Sequence, residues 1–152
     1  MKIGIIGTGY VGLVSGACFA DTGNDVVCVD VDQSKLASLQ NGKITIYEPG
    51  LDIIFKRNIE NGRLHFSNDL EVAVLQSTVI FLCLPTPQSE DGSADLSSVF
   101  NVAHEIGNIL AKHKSQEYKI VATKSTVTVG TVSRIRDDTQ IPNMTFLKTV
   151  MQ

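Results

Sequence analysis

A parallel β-sheet covered on both faces by helices, an α/β fold of the doubly wound, three-layer kind, is the architecture this sequence predicts, and three observations predict it. Short β-branched or apolar runs alternate with segments of helical length along the 152 residues, which implies parallel strands joined by crossover helices. Runs such as IGII, VVCV and VIFLCL are apolar at successive positions, as strands buried on both faces require. Hydrophobic residues make up 43% of the chain and charged residues 19%, enough apolar material for one core, so residues 1–152 are expected to form a single domain.

Strands are expected at Lys2–Ile6, Val26–Asp30, Arg63–Ser67, Thr78–Leu84, Lys119–Thr123 and Met144–Leu147. Helices are expected at Val11–Thr22, Ser34–Asn41, Gly50–Asn61, Leu70–Gln76, Ser97–Lys112 and Gly130–Asp137. The segment SEDGSAD at 89–95 is a polar loop between the fourth strand and the longest helix.

At the end of the first strand, Gly7-Thr8-Gly9-Tyr10-Val11-Gly12 opens a helix, the context in which a GxGxxG pattern carries meaning. Gly7 permits the tight turn, Gly9 leaves room for a pyrophosphate to approach the backbone, and Gly12 lets the helix pack closely on the strand. The free amides of the helix N-terminus, with Tyr10 and Val11 in its first turn, then face the phosphates. Gly16 and Phe19 continue the Gly12 face at helical spacing and serve packing. Glycines alone could merely make a turn, but the second strand ends in an acid, Asp30, 18 residues beyond Gly12, close to the interval of a Rossmann-type dinucleotide site. Its carboxylate can accept hydrogen bonds from both adenosine ribose hydroxyls. A 2′-phosphate would meet negative charge, and no arginine follows in Val31-Asp32-Gln33-Ser34, so NAD is favoured over NADP. Lys35 is the nearby cation that could soften this preference or simply be an exposed lysine, and Asp32 replaces Asp30 if the strand runs two residues further.

A net charge of −3 with no Lys/Arg block gives no electrostatic reason to expect nucleic acid or an anionic membrane as partner. The opening MKIGIIG is too short an apolar run for a signal peptide, and a cytoplasmic protein is expected. Cys18, Cys28 and Cys83 have no CxxC spacing and are expected to be buried reduced thiols. His65, His104 and His113 form no metal-spaced cluster, so no metal is expected.

Four segments carry a resemblance to a known family: GTGYVGLVSGACFAD with VVCVDVDQSK, then IYEPGLDIIFKRNIENGRLHFSNDL at 46–70, LPTPQSEDGSADLSSV at 84–99, and KSTVTVGT at 124–131. Across residues 1 to about 131 the chain resembles the UDP-glucose/GDP-mannose dehydrogenases, and the second and third segments look more like the UDP-glucose enzymes. Read physically, Pro85 and Pro87 end the fourth strand and hold Thr86 in an extended loop at the sheet's carboxyl edge, where open α/β sheets bind ligands. The resemblance implies that this Pro85-Thr86 loop contacts the cofactor near its nicotinamide half. Lys124-Ser125-Thr126 follows the fifth strand at the same edge. Ser125 and Thr126 are either cofactor-site hydroxyls or helix caps, and in the family the threonine matching Thr126 lies in the active site. Tyr47-Glu48-Pro49-Gly50-Leu51 resembles the family loop into a helix beside the cofactor, with Glu48 as its N-terminal acid.

The resemblance further implies an NAD-dependent dehydrogenase that takes the C6 alcohol of UDP-glucose to a carboxylate with two NAD, through a cysteine-bound thiohemiacetal and thioester. In the family that cysteine, its lysine, asparagine and aspartate helpers, the UDP pocket and the helix on which the dimer is built all follow the first domain. Full-length members are therefore expected to be homo-oligomers. This chain is expected to be the cofactor domain alone, binding NAD weakly, needing the missing domain for UDP-glucose, and inactive by itself. Cys83, two residues before Pro85, is expected to point into the core or under the cofactor. Met144–Val150 stands where the family has a strand and an Asn/Ser-Pro-Glu-Phe-Leu motif, so Phe146-Leu147-Lys148 is either a remnant of that motif or a sixth strand, and the motif's glutamate is absent. Two other readings are a stand-alone NAD-binding module and a decayed, non-catalytic paralogue with exposed apolar surface.

Overall fold

The computed structural model describes residues 1–90, 92–114, 117–139 and 144–148. In chain order the elements are β1 (Lys2–Ile6), α1 (Tyr10–Asp21), β2 (Asp25–Val29), α2 (Gln33–Gln40), α3 (Leu51–Glu60), β3 (Leu64–Ser67), α4 (Leu70–Gln76), β4 (Val79–Leu82), α5 (Ser97–Lys112), β5 (Lys119–Thr123), α6 (Thr131–Thr139) and β6 (Met144–Lys148). The tail residues Phe146, Leu147 and Lys148 thus belong to a sixth strand, while Thr149 and Val150 lie outside the described residues.

All neighbouring strands are parallel, in the order β3-β2-β1-β4-β5-β6. The chain steps outward from β1 through β2 to β3, then returns across β1 to start β4. This reversal between β1 and β4 leaves a crevice at the carboxyl ends of the strands, the switch point of doubly wound sheets.

Successive strand residues feed opposite faces of the sheet. Ile5 and Cys28 join Leu13 and Ala17 of α1 and Phe55 of α3 in one core. Ile6 and Val29 join Val74 of α4, Val99 and Ile106 of α5, and Ile135 of α6 in the other. Each fully buried Val, Leu, Ile or Phe among them contributes roughly 1.5–3 kcal/mol relative to exposure. Helix α1 lies close to the sheet because its inner face is small. Gly12, Gly16, Ala17 and Ala20 are buried, and a Cβ on Gly16 would stand 2.7 Å from the Cys28 sulfur. Phe19 stacks on Phe81 with ring centroids 5.0 Å apart.

One expectation about the thiols is corrected. Cys28 and Cys83 are buried, but Cys18 is exposed, because one residue beyond Ala17 the helix has turned about 100° away from its inner face. Strand β4 also ends earlier than expected, at Leu82 rather than Leu84. The Cys83 amide still donates to the Ile6 carbonyl at 2.8 Å, but the Leu84 amide donates to the Ser125 hydroxyl at 2.9 Å instead of to a strand. No helix among the described residues is long and apolar enough to cross a membrane.

Candidate functional site

A cleft of about 950 Å³ opens at the β1/β4 switch point. Gly7, Gly9, Tyr10 and Val11 line it from the turn after β1, Asp30 and Lys35 from the end of β2 and α2, Pro85 and Thr86 from the loop after β4, and Ser125 and Thr126 from the loop after β5. Gly12 lies beneath the cleft, buried in the first turn of α1.

The glycine turn divides its labour as its spacing implies. Gly7 has φ +100°, and a Cβ there would meet the Cys83 carbonyl oxygen at 2.5 Å. A Cβ on Gly12 would stand 1.9 Å from the Gly7 carbonyl oxygen, whereas one on Gly9 would meet nothing within 4 Å. The open side of the turn is therefore at Gly9. Helix α1 begins there, at Tyr10 rather than Val11, with no side-chain cap and no acid in its first turn. Its first backbone bond runs from the Leu13 amide to the Gly9 carbonyl at 2.9 Å, so the amides of Tyr10, Val11 and Gly12 have no acceptor within the helix. Three amides and the positive helix end beside an open glycine suit a phosphate anion.

Asp30 sits where β2 ends, its side chain 11% exposed. Its Oδ2 accepts from the Thr8 amide at 2.8 Å, the Thr8 hydroxyl at 2.5 Å and the Lys35 ammonium at 2.9 Å, and its Oδ1 accepts from the Asp32 amide at 3.1 Å. Desolvation raises the Asp30 pKa, but the Thr8 hydroxyl, the Lys35 ammonium and the two amides outweigh it and hold the carboxyl well below the usual carboxylate range. Asp32 is not a substitute acid for the cleft, since its carboxylate accepts from the Lys35 amide as the N-cap of α2. Lys35 is ion-paired with Asp30 rather than a free surface cation. The glycine pattern assigns roles to glycines and gives none to Thr8. Its hydroxyl, 22 residues before a strand-end acid, was the available signal.

At the other end of the cleft, the Ser125 hydroxyl accepts from the Leu84 amide at 2.9 Å and donates to the Leu84 carbonyl at 2.7 Å. Ser125 therefore staples the two cleft loops together. Neither Ser125 nor Thr126 caps a helix, because α6 begins only at Thr131. Thr126 stands exposed at the cleft edge and Thr86 is half-buried. Ser98, Asn101 and Glu105 of α5 also line the cleft. Their spacing of three and four places them on one helix face, a polar stripe in the sequence that strand-end reasoning passed over.

Glu48 departs from its expected role. Its carboxylate accepts from the Tyr10 hydroxyl, which raises the Tyr10 pKa, and the acid in the first turn of α3 is Asp52. Burial pushes the Cys83 thiol up to about 12, against the lowering influence of Lys124, and raises Cys28 as well, with Cys83 adding to that shift. Both shifts favour the protonated thiol over the thiolate. His65 bonds the Gly62 carbonyl, His113 pairs with Glu71, and His104 is exposed. Among the described residues no group of three or more His, Cys, Asp or Glu could hold a metal ion.

The UDP-glucose/GDP-mannose dehydrogenase family, NAD binding domain, matches residues 1–145. A UDP-glucose 6-dehydrogenase of Rhizobium meliloti (strain 1021) is 49% identical over 97% of this chain and 35% of its own length. UDP-glucose 6-dehydrogenase TuaD of Bacillus subtilis (strain 168) is 51% identical over 86% of this chain and 27% of its own length. The crystal structure of a ternary complex of GDP-mannose dehydrogenase from Pseudomonas aeruginosa superposes with a TM-score of 0.90 at 33% identity, over 100% of this chain and 37% of that one. This chain spans about a third of the length of such relatives. It belongs to the UDP-glucose/GDP-mannose dehydrogenase family, as that family's NAD-binding domain.

Proposed function

We propose that this chain binds NAD in the β1/β4 cleft and serves as the cofactor half of an enzyme that oxidises UDP-glucose at C6 to UDP-glucuronate. The observation that carries the reading is the convergence of the glycine turn, Asp30 with Lys35, Pro85 with Thr86, and Ser125 with Thr126 on one cleft. The residues fit the cofactor on their own terms. The amides of Tyr10, Val11 and Gly12 and the open space at Gly9 suit the pyrophosphate. Asp30 and Lys35 suit the adenosine ribose, and Pro85, Thr86, Ser125 and Thr126 line the end that would take the nicotinamide. When bound, NAD supplies the hydride acceptor.

Thr126, exposed at the cleft edge, is assigned the catalytic role of positioning a water or the reacting carbon by its hydroxyl. The covalent steps need a thiolate. Cys28 and Cys83 are buried with raised pKa values, and Cys18 does not line the cleft. The reading therefore takes the nucleophile and the UDP-sugar pocket from sequence beyond these residues, and holds the chain alone to be inactive. UDP-glucose is preferred to GDP-mannose because proteins named UDP-glucose 6-dehydrogenase match at 49% and 51% identity, against 38% for a GDP-mannose 6-dehydrogenase of Pseudomonas aeruginosa.

Isothermal calorimetry of this chain with NAD and with NADP, repeated for Asp30→Ala, tests the cofactor assignment. Binding of NAD over NADP that weakens about tenfold or more in the variant supports it. A folded wild-type chain that gives no heat with NAD refutes it.

A further inference from the structure

We infer that Thr8 is a positioning residue of the adenosine ribose site, fixing Asp30 so that one carboxylate oxygen is consumed inside the protein and only the other faces the ribose. The inference rests on the proposed role of Asp30 as the ribose acceptor. Thr8 lies between the first two glycines of the turn and is fully buried. Its amide and its hydroxyl nevertheless donate to the same atom, Oδ2 of Asp30, at 2.8 and 2.5 Å. The Lys35 ammonium donates to that atom as well, at 2.9 Å, while among the described residues Oδ1 takes only the Asp32 amide at 3.1 Å.

A carboxylate has about four lone-pair sites, two on each oxygen. Oδ2 already takes three donors, one more than its two sites, so it has none to offer a ligand, and Oδ1 has one site left. Asp30, so held, accepts one ribose hydroxyl rather than the two expected from its position alone. The oxygen of the second hydroxyl falls to Lys35, whose ammonium carries three donors, donates to Asp30, and stands on the cleft wall with its side chain 27% exposed. Turning the carboxylate to present both oxygens would strip the Thr8 hydroxyl of its acceptor in a fully buried place, which is disfavoured. The same bonds tie the ribose acceptor to the phosphate turn, so the two halves of the adenosine diphosphate site hold a fixed spacing.

The test combines calorimetry with a titration of the free protein. Wild type, Thr8→Val, Thr8→Ala, Thr8→Ser and the Thr8→Val/Asp30→Ala double variant are titrated with NAD, alongside Asp30→Ala. Losing one charge-assisted hydrogen bond is expected to weaken NAD binding about tenfold in Thr8→Val and Thr8→Ala. Thr8→Ser is expected to bind like wild type, and Thr8→Val is expected to add nothing to Asp30→Ala. In the free chain, carbon-13 NMR is expected to show the Asp30 carboxyl titrating higher in Thr8→Val and Thr8→Ala than in wild type or Thr8→Ser. Folded Thr8→Val and Thr8→Ala with unchanged Asp30 titration overturn the inference, as does a Thr8→Val loss that persists undiminished in the Asp30→Ala background. If wild type binds no NAD, the ribose reading fails and the carboxyl titration alone decides whether Thr8 holds Asp30.

Discussion

Replacing Gly9 by alanine separates the ligand role of the glycine turn from its structural role. Gly9 has φ −69° and ψ −170°, an extended conformation any residue adopts, and its added Cβ would meet nothing within 4 Å. Alanine restricts the unfolded chain, a gain of roughly 0.4–1 kcal/mol, but Gly9 is the N-cap of α1, where alanine is less favourable than glycine by a similar amount, so the free protein is expected to melt within about 3 °C of wild type. The methyl group would occupy the space through which a phosphate oxygen reaches the amides of Tyr10 and Val11. Losing two hydrogen bonds to a charged oxygen, each worth roughly 1.5–3 kcal/mol, lowers NAD affinity by about a hundredfold or more. Gly12→Ala is the contrast. Its Cβ would stand 1.9 Å from the Gly7 carbonyl oxygen and 3.0 Å from its carbon, both backbone atoms, so α1 has to move by roughly 1.5 Å to restore ordinary contact. That overpacking costs about 3 kcal/mol, or roughly 6–12 °C of melting temperature at this size. Thermal melts followed by circular dichroism, paired with NAD calorimetry, read both effects. A Gly9→Ala protein that melts like Gly12→Ala, or that keeps NAD affinity within about twofold of wild type, refutes the reasoning.

Two further outcomes follow from the titrating groups. Because the folded-state pKa of Asp30 is depressed, its contribution to stability is present above the unfolded value of about 3.9 and is lost as pH falls through the folded value. In urea unfolding, the stability gap between wild type and Asp30→Asn should hold steady from neutral pH to about 5 and narrow below about 4; a gap that stays constant into strong acid contradicts the assignment. Brief treatment of the native chain with iodoacetamide near pH 8, read by mass spectrometry, should modify Cys18 alone, because Cys28 and Cys83 are buried with raised pKa values. Labelling of Cys83 at a comparable rate would show that the cleft floor is open.

Much of the fold was legible because its signals are local. Runs such as VVCV, short, β-branched and apolar at every position, fit strands covered twice, and the structure gives Cys28 to one core and Val29 to the other. Helix and strand limits fall within two residues of those read from the sequence. What failed was direction. Cys18 stands among apolar residues in the sequence yet on the outer side of α1, since neighbours along a helix diverge by about 100°. Glu48 precedes a helix, as an N-terminal acid should, yet its carboxylate meets Tyr10, 38 residues earlier.

The candidate site divides along the same line. From its residues the sequence determined the α/β class, the glycine turn and the strand-end acid, because each depends on residue type at fixed spacing within a short stretch, while four matching segments across residues 1 to about 131 carried the family resemblance. Only the tertiary structure decided how the groups are used: that Ser125 is taken up in bonding Leu84, that α5 supplies a polar wall, and that Thr8 and Lys35 share a single oxygen of Asp30. A hydrogen bond across the fold depends on where the sheet order brings two strand ends and on which way a carboxylate turns there, and no local spacing encodes either.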